Sequence, residues 1–335
     1  MNSTPERILI ALSGGVDSSI ACYLLKEKGY QVEAVYVRTW ENEKDALGNC
    51  PGAKDLADAK EVAKFLEIPF HVVNFIDFYH QEIVRPMIQG YADGITPNPD
   101  ILCNRKMKFG ALMKYAKNHD FEALATGHYC RKILGKDGHA RLLEGIDKNK
   151  DQSYFLAQIS QEQLNYALFP LGEMHKEDVR KLAEKIRLPV AKKKDSQGIC
   201  FLGKVKIPQF LSNFIDDEPG EIITTQGKVV GRHQGLHRYT LGQRKGIGVP
   251  SNTDFENFVV TGKNQEMNQL VVAFEDPKEL TLWGLNYRIE SVFFFTNDFP
   301  TKRIELLGKT RYRDPSTPIF FQPLEDQKAE ILFKF

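Results

Sequence analysis

Three short stretches hold residue types that can do chemistry together. The first is Ser13-Gly14-Gly15-Val16-Asp17-Ser18-Ser19, between the apolar run "RILIAL" and the amphipathic run "SSIACYLLKEKG". Two glycines let a backbone approach a ligand closely. The N–H groups that open a helix, and the positive end of its dipole, favour an anion. Ser13, Ser18 and Ser19 add hydroxyl donors. Asp17 would repel a bare phosphate, but it suits a divalent cation that bridges phosphate oxygens. The Gly-Lys-[Ser/Thr] of the Walker loop is missing, so this is a phosphate loop of another kind.

The second stretch, "TPNPDILCNRKMKFG", sets Cys103 near a predicted helix start, behind Pro97 and Pro99 and beside Arg105, Lys106 and Lys108. Such surroundings favour a thiolate, and Asp100 stands nearby as a proton acceptor or base-reading group. The third, "AKKKDSQGICFLG", sets Cys200 behind Ser-Gln-Gly in the positive field of Lys192, Lys193 and Lys194. Two thiols in basic settings suggest a working pair, one carrying a persulfide that the other attacks. Of the other cysteines, Cys22 lies on an apolar stripe and Cys130 follows a strand, so both read as core. Cys50, in "ENEKDALGNCPG", reads as an incidental loop thiol. No CxxC pair is present, which argues against a zinc cage and a secreted disulfide framework. His128, after Thr-Gly at the end of a predicted strand, reads as functional. "LGQRKGIG" and "KTRYR", with Tyr312 among its cations, fit RNA backbone and stacking contacts.

These residues must be positioned by a larger frame. The chain has 335 residues, 42% hydrophobic and 27% charged, with a net charge of +1. That is ample for two or three domains, and any nucleic-acid surface must be clustered rather than global. The start has no signal-peptide pattern and no apolar run is long enough to span a bilayer, so a cytoplasmic protein is expected. Strands "RILIAL", "QVEAVYVRT", "FHVVNF" and "FEALATGH" alternate with helices, among them "DLADAKEVAKFLE", with Asp55 as its N-cap, and "KEDVRKLAEKIRL". Such alternation predicts an α/β fold, a parallel sheet flanked by helices whose ligands bind beyond the carboxyl ends of the strands. After about Gly220 short β runs take over, including "EIITTQGKVVG", "RYTLGQRKG", "NFVVTG", "QLVVAF", "RIESVFFFT" and "RIELLGKTRYR". The expected division is a catalytic domain over 1–205, a small central β-rich domain over 206–275, and a C-terminal β-barrel over 276–335. The closing strand "KAEILFKF" stops in mid-pattern, so that barrel is expected to be incomplete.

"SGGVDSS" resembles the signature loop of the ATP pyrophosphatases (the PP-loop superfamily, with an adenine-nucleotide hydrolase-like fold). Those enzymes grip the pyrophosphate of ATP and adenylate a carbonyl oxygen. The ordered set "SGGVDSS", "DLADA", "TPNPDILCN", "ATGHY", "NKDQSYFL", "AKKKDSQGICF", "HQGL", "TLGQRKG" and "KTRYR" resembles the bacterial tRNA-specific 2-thiouridylase (MnmA) family from residue 8 to about 313. The resemblance implies replacement of O2 of the tRNA wobble uridine by sulfur, with ATP and Mg²⁺ (the metal held with ATP, via Asp17, and no structural metal site). It implies an ATP site of Ala11, Leu12, Ser13, Gly14, Gly15, Val16, Asp17, Ser18, Val37 and Gly127. It implies target-base contacts from Asn98, Pro99 and Asp100, and tRNA contacts from His128, Lys150, Asp151, Gln152, Arg311 and Tyr312. Cys103 would be the nucleophile, Cys200 the persulfide carrier, and the two would form a disulfide during turnover. The implied partners are tRNAs for Lys, Glu and Gln and a sulfur-relay protein or cysteine desulfurase, with the enzyme a monomer. Direct transfer of sulfur and its release as hydrosulfide both stay open. An ammonia-using adenylating synthetase shares the first loop but needs no cysteine pair. A non-catalytic tRNA-binding or redox module would not need Asp17. The family's Pro-Gly-Gln segment beyond the last strand, with its tRNA-contacting glutamine, is not in this sequence.

Overall fold

The computed structural model describes residues 6–40, 51–195, 207–249, 257–275, 284–295 and 299–334. They form two compact units. One comprises Met1–Val84, Pro99–Val205 and Phe293–Phe299; the other comprises Arg85–Asn98, Lys206–Val292 and Pro300–Phe335.

The first unit is built on strands β1 (Arg7–Ala11), β2 (Gln31–Arg38), β3 (Phe70–Asn74) and β4 (Ala123–Ala125), a hairpin of β5 (Cys130–Leu134) and β6 (Ala140–Glu144), and the short β7 (Ala167–Leu168). The main sheet runs β3-β2-β1-β4-β7, and every neighbouring pair is parallel. Ile8, Leu9 and Ile10 of β1 are fully buried, as a central strand covered on both faces requires. Strand order reverses at β1, so the crevice beyond its carboxyl end is where a ligand fits. The Ser-Gly-Gly loop leaves β1 at that point and enters the Val16–Glu27 helix. Ile20, Ala21 and Leu25 of this helix share one core with Val179 and Ala183 of the Lys176–Lys185 helix. Gly29, in the left-handed region (φ +86°), follows the helix end as the sequence predicts.

Some local expectations are corrected. The second helix spans Pro51–Phe65, so Asp55 lies within it and is not its N-cap. "KMKFGALMKYAKN" is not uniformly α-helical: Cys103–Leu112 is π-helical and only Met113–Asn118 is α-helical. Another π-helical turn, His80–Val84, follows the Ile76–Tyr79 helix. Alternation did not reveal the β5–β6 hairpin, whose strands are short and partly exposed.

In the second unit, β8 (Gly220–Thr224), β9 (Val229–His233), β10 (Phe258–Asn264) and β11 (Gln269–Phe274) form a sheet ordered β10-β11-β8-β9. Ile222, Leu236, Tyr239, Phe258, Val260, Leu270 and Val272 make its core. "RYTLGQRKG" is loop rather than strand, entered through a 3₁₀ turn at Leu236–Arg238. A further sheet of β12 (Asn286–Ile289), β13 (Ile304–Gly308), β14 (Thr317–Pro323) and β15 (Ala329–Phe333) is ordered β12-β15-β14-β13. "RIESVFFFT" leaves the strand pattern after Ile289, and "RIELLGKTRYR" after Gly308. β15 presents no open edge, because it is paired with β12 on one side and β14 on the other.

Three buried histidines, His128, His233 and His237, share one electrostatic state. Burial holds each below the ordinary imidazole range, aided by Lys108 at His128, opposed by the Asn268 carbonyl at His233, and at His237 opposed by Asp217 but aided by Arg238 and Lys263. The folded chain therefore resists protonating them, whereas the unfolded chain protonates them below about pH 6.5. Their contribution to stability is complete above that pH and falls away below it, by at most about 1.4 kcal/mol per pH unit for each. Melting temperature should drop between pH 7.5 and pH 5.5; a flat or opposite trend would contradict this.

Candidate active site

The loop after β1 is shaped by contacts that only glycine allows. Gly14 has φ +73°, and a Cβ there would lie 2.3 Å from the carbonyl oxygen of Asp55. Gly127, just past β4, would put a Cβ 2.8 Å from the Ser18 backbone nitrogen. The β4 edge is thus pressed against the first turn of the Val16–Glu27 helix. Gly15, the N-cap, makes no side-chain cap. The Ser18 hydroxyl instead accepts the Ser13 N–H at 3.2 Å, and Ser19 Oγ donates to the Gly15 carbonyl at 2.7 Å. A helix of this length with an uncapped start and clustered hydroxyls fits a polyphosphate. Leu12 and Val16 are buried at the two ends of the loop, Ala11 ends β1, and Val37 is buried in β2. Gly14→Ala should lower the melting temperature and abolish nucleotide binding. The left-handed strain alone costs about 1–3 kcal/mol, before the clash with Asp55. Calorimetry and titration with ATP check this.

The lysine missing from the loop's sequence is supplied from elsewhere. Lys176 Nζ lies 2.5 Å from Asp17 Oδ1, across 159 residues of chain, and the Tyr129 hydroxyl donates to the same oxygen at 2.8 Å. Lys176 Nζ also lies 2.8 Å from Asp195 Oδ1. Asp195 further takes Lys150 Nζ at 2.8 Å and the Arg180 guanidinium. Burial alone would raise the Asp195 pKa, but the bonds from Lys150 and Lys176 outweigh it and hold the carboxyl well below its usual range. Tyr129 is pushed far up by burial and then by the adjacent Asp17, so it stays a protonated donor.

Sequence reading missed Lys176, Tyr129, Arg180 and Asp195. A signal did exist: Lys176, Val179 and Ala183 fall on one helix face, and all three are buried. A lysine on an apolar stripe needs a buried acid.

The lysine run is also used differently from the expectation. Lys193 Nζ reaches the Gly14 carbonyl at 3.0 Å, Asp55 at 2.7 Å and Asp58 at 2.5 Å. Its charge is therefore matched by two carboxylates of the Pro51–Phe65 helix. Arg180 binds the carbonyls of Ala191 and Lys193, so residues 191–195 are fastened to both the loop and the Lys176–Lys185 helix.

Cys103 is buried at 1% exposure, one turn into a helical stretch that begins at Pro99 and where α-helix passes into π-helix. The expected accessible sulfur is thus enclosed. Asn104 fastens this turn, its Nδ2 donating to the Phe155 carbonyl at 3.1 Å. Lys106, read as a basic neighbour of the thiol, pairs with Glu82 at 2.7 Å. Pro99 is buried and Asp100 partly exposed, while Asn98 belongs to the second unit. Cys22 and Cys130 are fully buried. Burial pushes the Cys22 thiol up to about 12 and that of Cys130 well above its ordinary value. Cys200 and Cys50 lie outside the described residues, as does the Cys103–Cys200 pairing.

Among the expected tRNA contacts, Lys150 sits in the Asp195 cluster. The buried Asp151 accepts the Gly145 N–H at 2.9 Å and the Ser153 hydroxyl at 2.8 Å, and Gln152 Oε1 accepts the Tyr129 N–H at 3.0 Å. His128 is buried, its Nδ1 2.7 Å from Thr126 Oγ1. The structure thus gathers Asp17, Gly127, Tyr129, Lys150 and Gln152 around one loop. In the second unit it joins the two basic loops: Arg311 donates to the Leu241 carbonyl at 2.6 Å, and Arg313 lies 5.2 Å from the Tyr312 ring centroid. No cluster of three or more His, Cys, Asp or Glu that could hold a metal occurs among the described residues. Asp17 would offer a single carboxylate to Mg²⁺, which suffices because such ions take much of their shell from phosphates and water.

A parallel sheet with a glycine-serine loop at its switch point, a buried lysine from a distant helix paired with the aspartate of that loop, and β-rich segments after it define an α/β enzyme of nucleotide-binding type. Residues 6–204 match the family described as "tRNA methyl transferase HUP domain", and residues 208–274 match "tRNA methyl transferase PRC-barrel domain". The tRNA-specific 2-thiouridylase MnmA of Akkermansia muciniphila is 43% identical over 327 residues, covering 98% of this chain and 90% of that protein. That of Aeromonas salmonicida is 43% identical over 331 residues, 98% and 89%, and that of Escherichia coli (strain K12 / DH10B) is 42% identical over 338 residues, 99% and 90%. The chain belongs to the tRNA-specific 2-thiouridylase (MnmA) family.

Proposed function

We propose that this chain is a tRNA 2-thiouridylase, a sulfurtransferase that uses ATP to activate O2 of the wobble uridine and exchanges that oxygen for persulfide-derived sulfur, releasing AMP and pyrophosphate. The observation that carries this reading is the loop at the end of β1: uncapped helix N–H groups, clustered hydroxyls and an aspartate neutralised by Lys176 suit a triphosphate cleaved at its α-phosphorus. The names of the relatives supply the tRNA and the thiolation.

In this reading Ser13, Ser18 and the loop N–H groups hold the leaving pyrophosphate, and Gly127 lets the β4 edge close on it. ATP supplies the adenylyl group, and Mg²⁺ would share Asp17 with the phosphates. Asp100 faces the flipped-out uracil, since chemistry on a base requires access outside the stack. Cys200 carries the sulfur as a persulfide; its terminal sulfur reaches C2 of the activated uracil either directly or as hydrosulfide, Cys103 attacks the inner sulfur and closes the disulfide with Cys200, AMP leaves, and a thiol reductant reopens the disulfide between turnovers. Asn98, Pro99, Lys150, Arg311 and Tyr312 belong to the RNA-facing set. The domain division at about 205 and 275, the tRNAs for Lys, Glu and Gln, a sulfur-relay protein or cysteine desulfurase as donor, a monomeric state and a cytoplasmic site complete the proposal.

The test is nucleoside analysis of unmodified tRNA incubated with the full chain, ATP, Mg²⁺ and sulfide. 2-Thiouridine and AMP should form together. A methylated nucleoside, as the family description would suggest, or thiolation without AMP would overturn the reading.

A further inference from the structure

The loop has no lysine of its own, yet an ammonium stands in it. Lys176 is nine-tenths buried, with its Nζ 2.5 Å from Asp17 and 2.8 Å from Asp195. The lysine is buried but the Asp17 carboxylate is about one-third exposed, and such a half-screened pair is weak support for stability. Its presence in the first turn of the loop helix therefore needs another reason.

Asp17 alone would oppose any polyphosphate at the helix start, and the Lys176 ammonium cancels that charge. Asp195 does not monopolise the lysine, because it is also held by Lys150 and Arg180. An ammonium has three donors. Asp17 and Asp195 take two, which leaves one for a phosphate oxygen without breaking either pair. Tyr129 fixes the geometry from the other side, its hydroxyl on Asp17 and its ring 5.9 Å from Nζ.

We infer that Lys176 is a catalytic residue of the phosphate site: it touches the β- and γ-phosphates of the bound nucleotide and the pyrophosphate that leaves, doing from a distant helix what the loop lysine does in a Walker site. This rests on the ATP reading above and extends it to a residue outside the loop. The consequence is selectivity between ligands. Binding of ATP and of inorganic pyrophosphate depends on Lys176; binding of AMP, which lacks those phosphates, does not.

The experiment uses the full chain and the variants Lys176→Gln and Lys176→Met. Glutamine keeps a shorter, polar side chain and methionine an apolar one, and both remove the charge. Titration calorimetry with Mg²⁺ and ATP, inorganic pyrophosphate or AMP should show ATP and pyrophosphate weakened at least tenfold, with AMP within threefold of the unmodified chain. Equal loss of all three ligands would mean that Lys176 only supports the fold, and would overturn the inference, as would undiminished ATP and pyrophosphate binding. Should neither variant fold, lysine acetylation footprinting of the unmodified chain decides. Pyrophosphate should protect Lys176 at least fivefold and AMP should not; equal labelling with both would sink the assignment. If the unmodified chain binds neither ATP nor pyrophosphate, the nucleotide reading itself falls, and this inference with it.

Discussion

Asp17→Ala should lower AMP and 2-thiouridine formation at least a hundredfold without weakening ATP binding. Losing one group that stabilises developing charge typically costs two to three orders of magnitude in turnover, and in the proposed mechanism Asp17 is the carboxylate that would share Mg²⁺ with the phosphates. The affinity behaves differently. The substitution removes a negative charge from an anion site and leaves the Lys176 ammonium, still held by Asp195, to the phosphates. So kcat should collapse while the Kd for ATP stays level or falls. The fold should survive. Breaking a fully buried pair costs about 3–5 kcal/mol, but Asp17 is about one-third exposed, which discounts that to roughly 1–2 kcal/mol. Steady-state kinetics with a binding titration and a melting curve separate these effects. Parallel losses of affinity and rate would mean that Asp17 shapes the loop rather than serving the chemistry.

The second large effect is at Cys103. With sulfur supplied as a Cys200 persulfide rather than as free sulfide, Cys103→Ser should lower 2-thiouridine formation at least a thousandfold, because a hydroxyl cannot attack the persulfide and displace its sulfur. The change in volume is small, and the cost of a buried hydroxyl is about 1–3 kcal/mol, so ATP binding should persist. Cys22→Ser and Cys130→Ser provide the contrast. Both thiols are fully buried and held protonated by burial, so these variants should lose stability by a similar amount and keep turnover. Mass spectrometry of tRNA digests, run beside thermal melts, tests all three. Turnover above a tenth of normal in Cys103→Ser would remove it from the mechanism.

What the sequence made legible, and what it hid, follows from how far each feature reaches. The parallel sheet was readable because "RILIAL" and "QVEAVYVRT" are apolar runs bounded by helices, a pattern set by neighbours in the chain. The loop was readable because Gly14 and Asp17 lie three residues apart. Lys176 was not, since its partner is 159 residues away and only the packing of Val179 and Ala183 against Ile20 and Ala21 brings them together. The lysine run shows the opposite error. Adjacent cations were read as one local field, but Lys193 turns to Asp55 and Asp58, which no one-dimensional reading could tell from solvated surface. The π-helical register at Cys103 was equally hidden, because α- and π-helix differ in hydrogen-bond partner and hardly in composition.

The place of β15 fixes an order of events during synthesis. Among the described strands, β12 (Asn286–Ile289) pairs with β15 (Ala329–Phe333), which then joins β14. When β12 emerges from a ribosome, the strand that must lie beside it has not yet been made. At about 5–20 residues per second, it waits some seconds with its backbone unpaired. β13 and β14 can close meanwhile as a hairpin, but the sheet itself is assembled only by insertion of β15 between two strands already present. The parallel sheet of the first unit, whose last strand is β7 (Ala167–Leu168), has its full strand set long before that. A chaperone or protease therefore meets a nascent chain whose nucleotide-binding half can be complete while its last sheet is still open.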